Sequence, residues 1–358
     1  MRRSLNSSGR WVVRSALVMA SALGLLAVNT ACGDATGSAT HSRTPVKNGI
    51  SAKHATPVRN HGTVRVCGAH LCDESGNPVQ LRGMSTHGTQ WYAHCLTDGA
   101  LDALAYDWKV DVLRVATYAR EGGYETNPRK FTELASRLID RASARGMYVI
   151  VDWHMINPGD PHEDLAEART FFEQIAERHK HRNNVLYEIA NEPHGVSWER
   201  IKSYADAVIP VIRSRDPDSV ILVPTPAWSS LGLHEFSDEK TVVNAPLSTE
   251  NVMYAFHFYA PEAREASLAA LDRASATLPM FVTEWGTASW KGYGNDFPMA
   301  QKFVDLMAKK KISWTNWAVS DNERDLSVFK RGACSAGTFA GTGVLKPAGV
   351  WVRERIRS

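Results

Sequence analysis

Short apolar runs recur along the chain from about residue 62 onward. They lie at Val79–Met84, Val110–Val115, Tyr148–Val151, Val185–Ile189, Val220–Val223, Asn251–Phe256, Met280–Val282 and Ile312–Trp314. Each is short and rich in β-branched or aromatic residues, which predicts a buried strand. The gaps between them carry a helical period instead. In "PRKFTELASRLIDRASARG", Phe131, Leu134, Leu138 and Ile139 share one helical face, and Gly146 suits the helix end. Leu165, Phe172 and Ile175 behave alike in the next gap. So do Trp198, Ile201, Ala205, Val208 and Ile212 in the one after. Strands alternating with helices eight times over predict an α/β protein, a (β/α)8 TIM barrel. A doubly wound sheet would call for a glycine-rich phosphate loop after its first strand, and "RGMSTHG" is not such a loop.

The pattern is absent before that body. Residues 33–60 are small and polar with no apolar period, which reads as a flexible tether. Ahead of it, Arg2, Arg3, Arg10 and Arg14 lead into the apolar "SALVMASALGLLAV" of residues 15–28, the make-up of an export signal. The expected organisation is therefore a signal peptide at 1–31, a polar linker at 32–61 and one catalytic domain at 62–358. Ala31-Cys32 also resembles a lipoprotein site, with Cys32 lipidated. Release to the outside and anchoring to the outer face of the membrane both stay open.

Charge and cysteines refine this. The formal net charge is +3, but the first 31 residues hold four arginines and no acid. Without them the chain has 37 basic against 38 acidic residues. That balance gives no reason to expect nucleic acid as a partner. Cys67, Cys72, Cys95 and Cys334 form an even set, which in an exported protein suggests disulfides. Cys67 and Cys72 bracket a tight turn and could close a hairpin. Cys95 and Cys334 would then join an early loop to the last one. Three pairings are possible, and a zinc site at Cys67, His70 and Cys72 is a rival.

In a barrel of this kind chemistry gathers at the C-terminal ends of the strands. Those ends read His87 with Trp91, Arg114 with Tyr118, Asp152 with His154, Asn191 with Glu192, Trp228, His257 with Tyr259, Glu284, and Trp317 with Asp321. One buried histidine or tryptophan has an ordinary explanation in packing. Polar groups on every strand end do not, because burying them costs free energy. Two glutamates among aromatic residues suit glycoside hydrolysis. One carboxylic acid protonates the leaving oxygen, and a second carboxylate attacks the anomeric carbon or activates water. Flat rings offer stacking faces for sugars, and Trp290 is a further candidate platform. A metal hydrolase using His162, Glu163 and Asp164 lacks the HExxH spacing, and no GxSxG motif supports a serine hydrolase.

"VDWH", "NEP" after a strand, "YAFHFYA", "VTEWG" and "WTNWAVSD", with "VQLRGMSTHGTQWY" and the ending "GVWVRERIRS", together resemble glycoside hydrolase family 5 from Val64 to Ser358. The likeness is to its secreted bacterial endo-β-1,4-glucanases of actinobacterial type. The resemblance implies a cofactor-free, retaining hydrolase of β-glucan polysaccharide, expected as a monomer. It implies Glu192 as acid/base and Glu284 as nucleophile, supported by Arg114, His154, Asn191, His257 and Tyr259. His87, Trp91, Tyr118, Trp228 and Trp317 match its sugar-binding positions. Arginine and tyrosine beside Glu284 would favour its charged form. Three features depart from the pattern: His194 after NEP, Asn322, and "PTPAW" at 224–228 in place of a glycine-rich run. They bear on substrate preference. The same chemistry on mannan, xyloglucan or mixed-linkage glucan is the alternative, and a glycan-binding surface protein without catalysis is the alternative of another class.

Overall fold

The computed structural model describes residues 55–358. The export signal, Cys32 and the tether up to residue 54 lie outside the described residues. The tether's expected end at 61 does not hold. Pro57–His61 is a short helix, capped by the Thr56 side chain on Arg59 N. Val58 N donates to Gly146 O at 3.0 Å, and its side chain packs under the barrel floor. Threonine before proline is an ordinary helix start, a signal that apolar period alone does not carry.

An antiparallel hairpin follows, β1 (Arg65–Cys67) and β2 (His70–Cys72). Its turn holds the Cys67–Cys72 disulfide, so neither thiolate is free for zinc. The second disulfide is Cys95–Cys334. All eight predicted strands are present: β3 (Arg82–Thr86), β4 (Val112–Tyr118), β5 (Tyr148–His154), β6 (Val185–Glu188), β7 (Ile221–Val223), β8 (Val252–Tyr259), β9 (Met280–Gly286) and β10 (Ser313–Val319). They pair in parallel in chain order, and β10 closes on β3. Helices fill the connections. In Pro128–Ala144, Asn127 caps Lys130 N, Phe131, Leu138 and Ile139 are buried, and Leu134 is half-buried against the core.

Side chains alternate between the two faces of a strand, and this alternation builds the site. The outward residues, among them Leu113, Val115, Val149, Val151, Tyr187, Tyr254 and Phe256, join the helix faces in one large core. The inward residues change character along the barrel axis. At the bottom, Val112, Tyr148, Ile150, Leu186, Leu222, Met253 and Phe281 pack into an apolar plug with Leu71 and Leu81. One inward step higher the same strands carry Arg114, Asp152 and Glu188. One more step brings His154. The strands therefore run past their apolar stretches, and β4, β5 and β8 end on tyrosine or histidine.

Candidate active site

Ladder register sets the neighbours. Ser85 pairs with Arg114, Arg114 with Ile150, Asp152 with Glu188, Tyr118 with His154, and His257 with Glu284. Arg114, fully buried, is the hub. Its Nε donates to Glu188 Oε2 at 2.7 Å, and its Nη1 donates to Glu284 Oε2 at 2.9 Å. Its Nη2 donates to Asn191 Oδ1 at 2.7 Å and lies 3.0 Å from Asp152 Oδ2. Burial opposes its charge, but the carboxylates of Asp152, Glu188 and Glu284 outweigh burial and hold it positive. The fork shape of guanidinium lets one side chain serve four partners, which lysine could not do.

Glu284 is held from both sides. Arg114 binds one carboxylate oxygen, and the Tyr259 hydroxyl donates to the other. Glu192 sits opposite. One oxygen of each glutamate, with a ring nitrogen of His257, lies within a 4.8 Å group. His257 Nδ1 hydrogen-bonds Glu192 Oε1 at 2.9 Å, and Nε2 meets Thr283 Oγ1 at 2.8 Å and lies 3.7 Å from Glu188. Burial would strip its proton, but Glu188 and Glu192 push its pKa up to about 9. As an imidazolium it has no lone pair for a metal ion, so this trio suits proton transfer better than coordination. The group formed by His94, Cys95, Asp321 and Cys334 has both sulfurs bound in a disulfide. His162 and Asp164 are engaged with Arg200 O and Arg120.

Around the carboxylates the aromatic residues form walls. His154 Nδ1 bonds Asp152 Oδ2 at 2.7 Å, and its ring lies parallel to Trp317 at 5.2 Å. Tyr118 packs on the same imidazole at 4.2 Å. His87 lies 5.0 Å from Trp317 and 5.8 Å from Trp91, and Trp91 meets Tyr118 edge-on while remaining 45% exposed. Trp228, in the turn after β7, is half-buried. Its face is covered by His194 at 4.4 Å and 12°. His194 Nδ1 also approaches Glu192 O at 3.1 Å, so the residue that departs from the pattern links the NEP turn to Trp228. Asn322, the second departure, uses its amide on the Tyr92 hydroxyl at 2.8 Å. The "PTPAW" segment and the residue after it carry positive φ at Ala227, Trp228 and Ser229, a costly conformation for non-glycine residues. It is held by Trp228 N donating to Pro193 O and by the Ser229 hydroxyl donating to Asn191 O.

Of the twelve expected site residues, Arg114 lies in the first half of β4, and the other eleven lie in the upper part of the strands or in the turns and short helices just beyond. The sequence reading missed Glu188, which binds Arg114 and faces His257, and Thr283. A charged residue inside the apolar "VLYEIA" was the available signal for Glu188; Thr283 offered none.

The site also predicts how stability follows pH. The Glu188 carboxyl is pulled down to about 2, because Arg114 and His257 overcome the cost of its burial. Burial pushes the His87 and His154 imidazoles down to about 3. Each group has a lower pKa folded than unfolded, so the unfolded chain binds more protons and stability falls with acid. For the two histidines that loss begins below 6.5, and for Glu188 below 4.5. His257 works in the opposite sense. Its contribution is complete below 6.5 and disappears as pH rises through about 9. Thermal unfolding across pH should give a maximum near neutrality, with His257→Gln flattening the alkaline limb. An unchanged alkaline limb would contradict the assignment.

The comparisons bear on this geometry. A family model described as cellulase (glycosyl hydrolase family 5) matches residues 72–323. The chain belongs to glycosyl hydrolase family 5. Endoglucanase E-5 of Thermobifida fusca is 58% identical over 304 residues, covering 85% of this chain and 65% of that protein. Endoglucanase CelA of Streptomyces lividans is 48% identical over 301 residues, covering 84% and 65%. The chain thus spans slightly less than two thirds of either relative. The crystal structure of the catalytic domain of the Thermobifida fusca endoglucanase superposes with a TM-score of 0.84, covering 85% of this chain and all of that one. A variant of that domain was solved in complex with cellotetraose. The family-5 resemblance and the (β/α)8 barrel expected from the sequence both hold.

Proposed function

We propose that the protein is a retaining endo-β-1,4-glucanase, with Glu284 as nucleophile and Glu192 as acid/base. The observation that carries this reading is the pair of glutamates whose oxygens approach within 4.8 Å, Glu192 in the turn beyond β6 and Glu284 on β9. Retaining hydrolases hold their carboxyl groups about 5–5.5 Å apart, whereas inverting ones leave about 6.5–9.5 Å for a water. In the first step Glu284 attacks the anomeric carbon, the glycosidic C–O bond breaks, and the leaving oxygen takes its proton from Glu192. In the second, Glu192 accepts a proton from water as that water displaces Glu284. Arg114 and Tyr259 hold the nucleophile's two oxygens in place. The His257 imidazolium donates to Glu192 Oε1 throughout, leaving the other oxygen to carry the proton and offsetting the charge left when it departs. Asn191, fixed by Arg114, would meet the sugar 2-hydroxyl.

β-1,4-Glucan as substrate is supported by the endoglucanases this chain resembles and by the cellotetraose bound to a 58% identical domain. Trp91, Tyr118, Trp228 and Trp317, with His87, would line its path. One chain supplies every residue of the site, which fits a monomer. The leader-like N-terminus supports export, released or lipid-anchored at Cys32, and two disulfides fit an oxidising compartment. Among the described residues no helix is long and apolar enough to cross a membrane.

The test is sugar release from carboxymethylcellulose, barley β-glucan, glucomannan and xylan in parallel. Release from the glucans with an early fall in viscosity is expected. Activity confined to mannan or xylan would keep the chemistry and overturn the substrate.

A further inference from the structure

β9 leaves the barrel through a loop, residues 287–296, that the site described above does not use. This loop exposes two large aromatic side chains, Trp290 at 61% and Tyr293 at 59%. Exposed single aromatics are common on protein surfaces, so exposure alone decides nothing. Two further observations do. The first is rigidity. Ser289 N donates to Tyr293 O, Gly292 N donates to Ser289 O at 2.7 Å, and Ala288 bridges Asn295. The loop is also fastened to the β10 loop, where Asp325 N donates to Gly292 O at 2.6 Å and Gly294 N donates to Asp325 Oδ2 at 2.9 Å. Gly292 and Gly294 have positive φ, which the tight hairpin requires. The second is continuity. In the closed barrel β9, β10 and β3 are neighbours, so the β9 loop, Trp317 on β10 and Trp91 beyond β3 form consecutive stations along one side of the mouth. One face of Trp290 is covered by Lys291 Nζ, 5.2 Å from the ring centroid. A stiff loop that displays two aromatic rings at the edge of an aromatic-lined cleft has its ordering entropy already spent, which is what a preformed platform needs.

We propose that Trp290 and Tyr293 form an outlying platform for a β-glucan chain that extends past the catalytic cleft. The proposal rests on the β-glucanase reading and deepens it. The ligand is a long, neutral glucan whose pyranose rings present C–H faces to the indole and phenol. The rings meet polymer outside the reacting bond, so they contribute to binding of long chains and not to bond breaking. Neither residue is catalytic.

The test compares the parent with Trp290→Ala, Tyr293→Ala and the pair, using barley β-glucan and a short aryl cellobioside. The pair is expected to raise KM for the polymer about threefold to tenfold, with kcat for the polymer and both constants for the short substrate unchanged. Tyr106→Ala, at an exposed aromatic ahead of β4 (53%), is expected to change nothing. An unchanged polymer KM in the pair would overturn the proposal. So would equal losses on both substrates, since the loop would then be supporting the catalytic centre. Electrophoretic retardation in gels containing barley β-glucan keeps the platform testable without turnover. If the parent proves inactive yet is retarded, and the pair is not, the activity reading fails and the platform stands. If parent and pair migrate alike, the platform fails.

Discussion

Glu284→Gln should remove turnover on every glucan, by at least about a thousandfold in kcat, while leaving the fold intact. The side chain keeps its shape and one carbonyl oxygen. What it loses is the anionic oxygen that must bond to the anomeric carbon. The neighbours can accommodate the exchange, because Tyr259 and Arg114 are both donors to this residue and an amide oxygen still accepts from one of them. Circular dichroism and the melting temperature should therefore stay close to the parent, with the melting point somewhat lower because Arg114 loses part of its countercharge. Initial rates on barley β-glucan read the first effect and thermal melts the second. Near-parent activity would remove Glu284 from the role of nucleophile. Loss of activity together with loss of the fold would leave the role open, and Glu192→Gln then separates the two. It should also stop turnover on unactivated glucan, while retaining more activity on a substrate whose leaving group needs no proton.

The largest expected effect on stability is at Arg114. Arg114→Met should lower the free energy of unfolding by about 3–5 kcal/mol, the usual consequence of leaving a buried charge without its partner. For a chain of this size that corresponds to a fall of roughly 10 °C in melting temperature. The reason is the position of the guanidinium. It sits at 0% side-chain exposure with Glu188 at 2.7 Å, Glu284 at 2.9 Å and Asp152 at 3.0 Å. Remove it and two or three carboxyl groups face one another in a site closed to water. They can respond only by taking up protons, so the destabilisation should shrink at acid pH. Adding Glu188→Gln to Arg114→Met should recover part of the loss, because it removes one of the orphaned charges. A single variant that melts within about 1 kcal/mol of the parent would show that the cluster is relaxed by water or by protonation, and that Arg114 is not its hub.

Much of this was legible in the sequence, for a physical reason. Outward barrel residues must meet helices, so every strand carries apolar residues that announce it. The strand boundaries were less legible. The apolar run at Val79–Met84 begins too early, because Val79 and Leu81 plug the barrel floor and β3 begins at Arg82. The runs ending at Val115, Val151, Phe256, Val282 and Trp314 stop too soon, because the interior turns polar exactly where function begins. The hub geometry was not legible. Arg114 read as one strand-end cation, but its partners come from residues 38, 74, 77 and 170 positions away, and only the ladder register brings them together. Cys95 and Cys334 are 239 positions apart, a pairing that spacing alone left open. The stack of His194 on Trp228 has the same origin. His194 was visible as a departure from the family pattern and Trp228 as a match to a sugar-binding position, but their contact depends on the turn at Pro193.

The measurement that tests the account most directly is the stereochemistry of the first product. Proton NMR during the opening minutes of cellopentaose hydrolysis reports the anomer released before mutarotation mixes the two forms. Double displacement at Glu284 predicts β-anomer first, with α appearing later at the mutarotation rate. Initial release of the α-anomer would mean a single displacement by water. It would contradict both the nucleophile assignment and the reading of the close approach between the two glutamates.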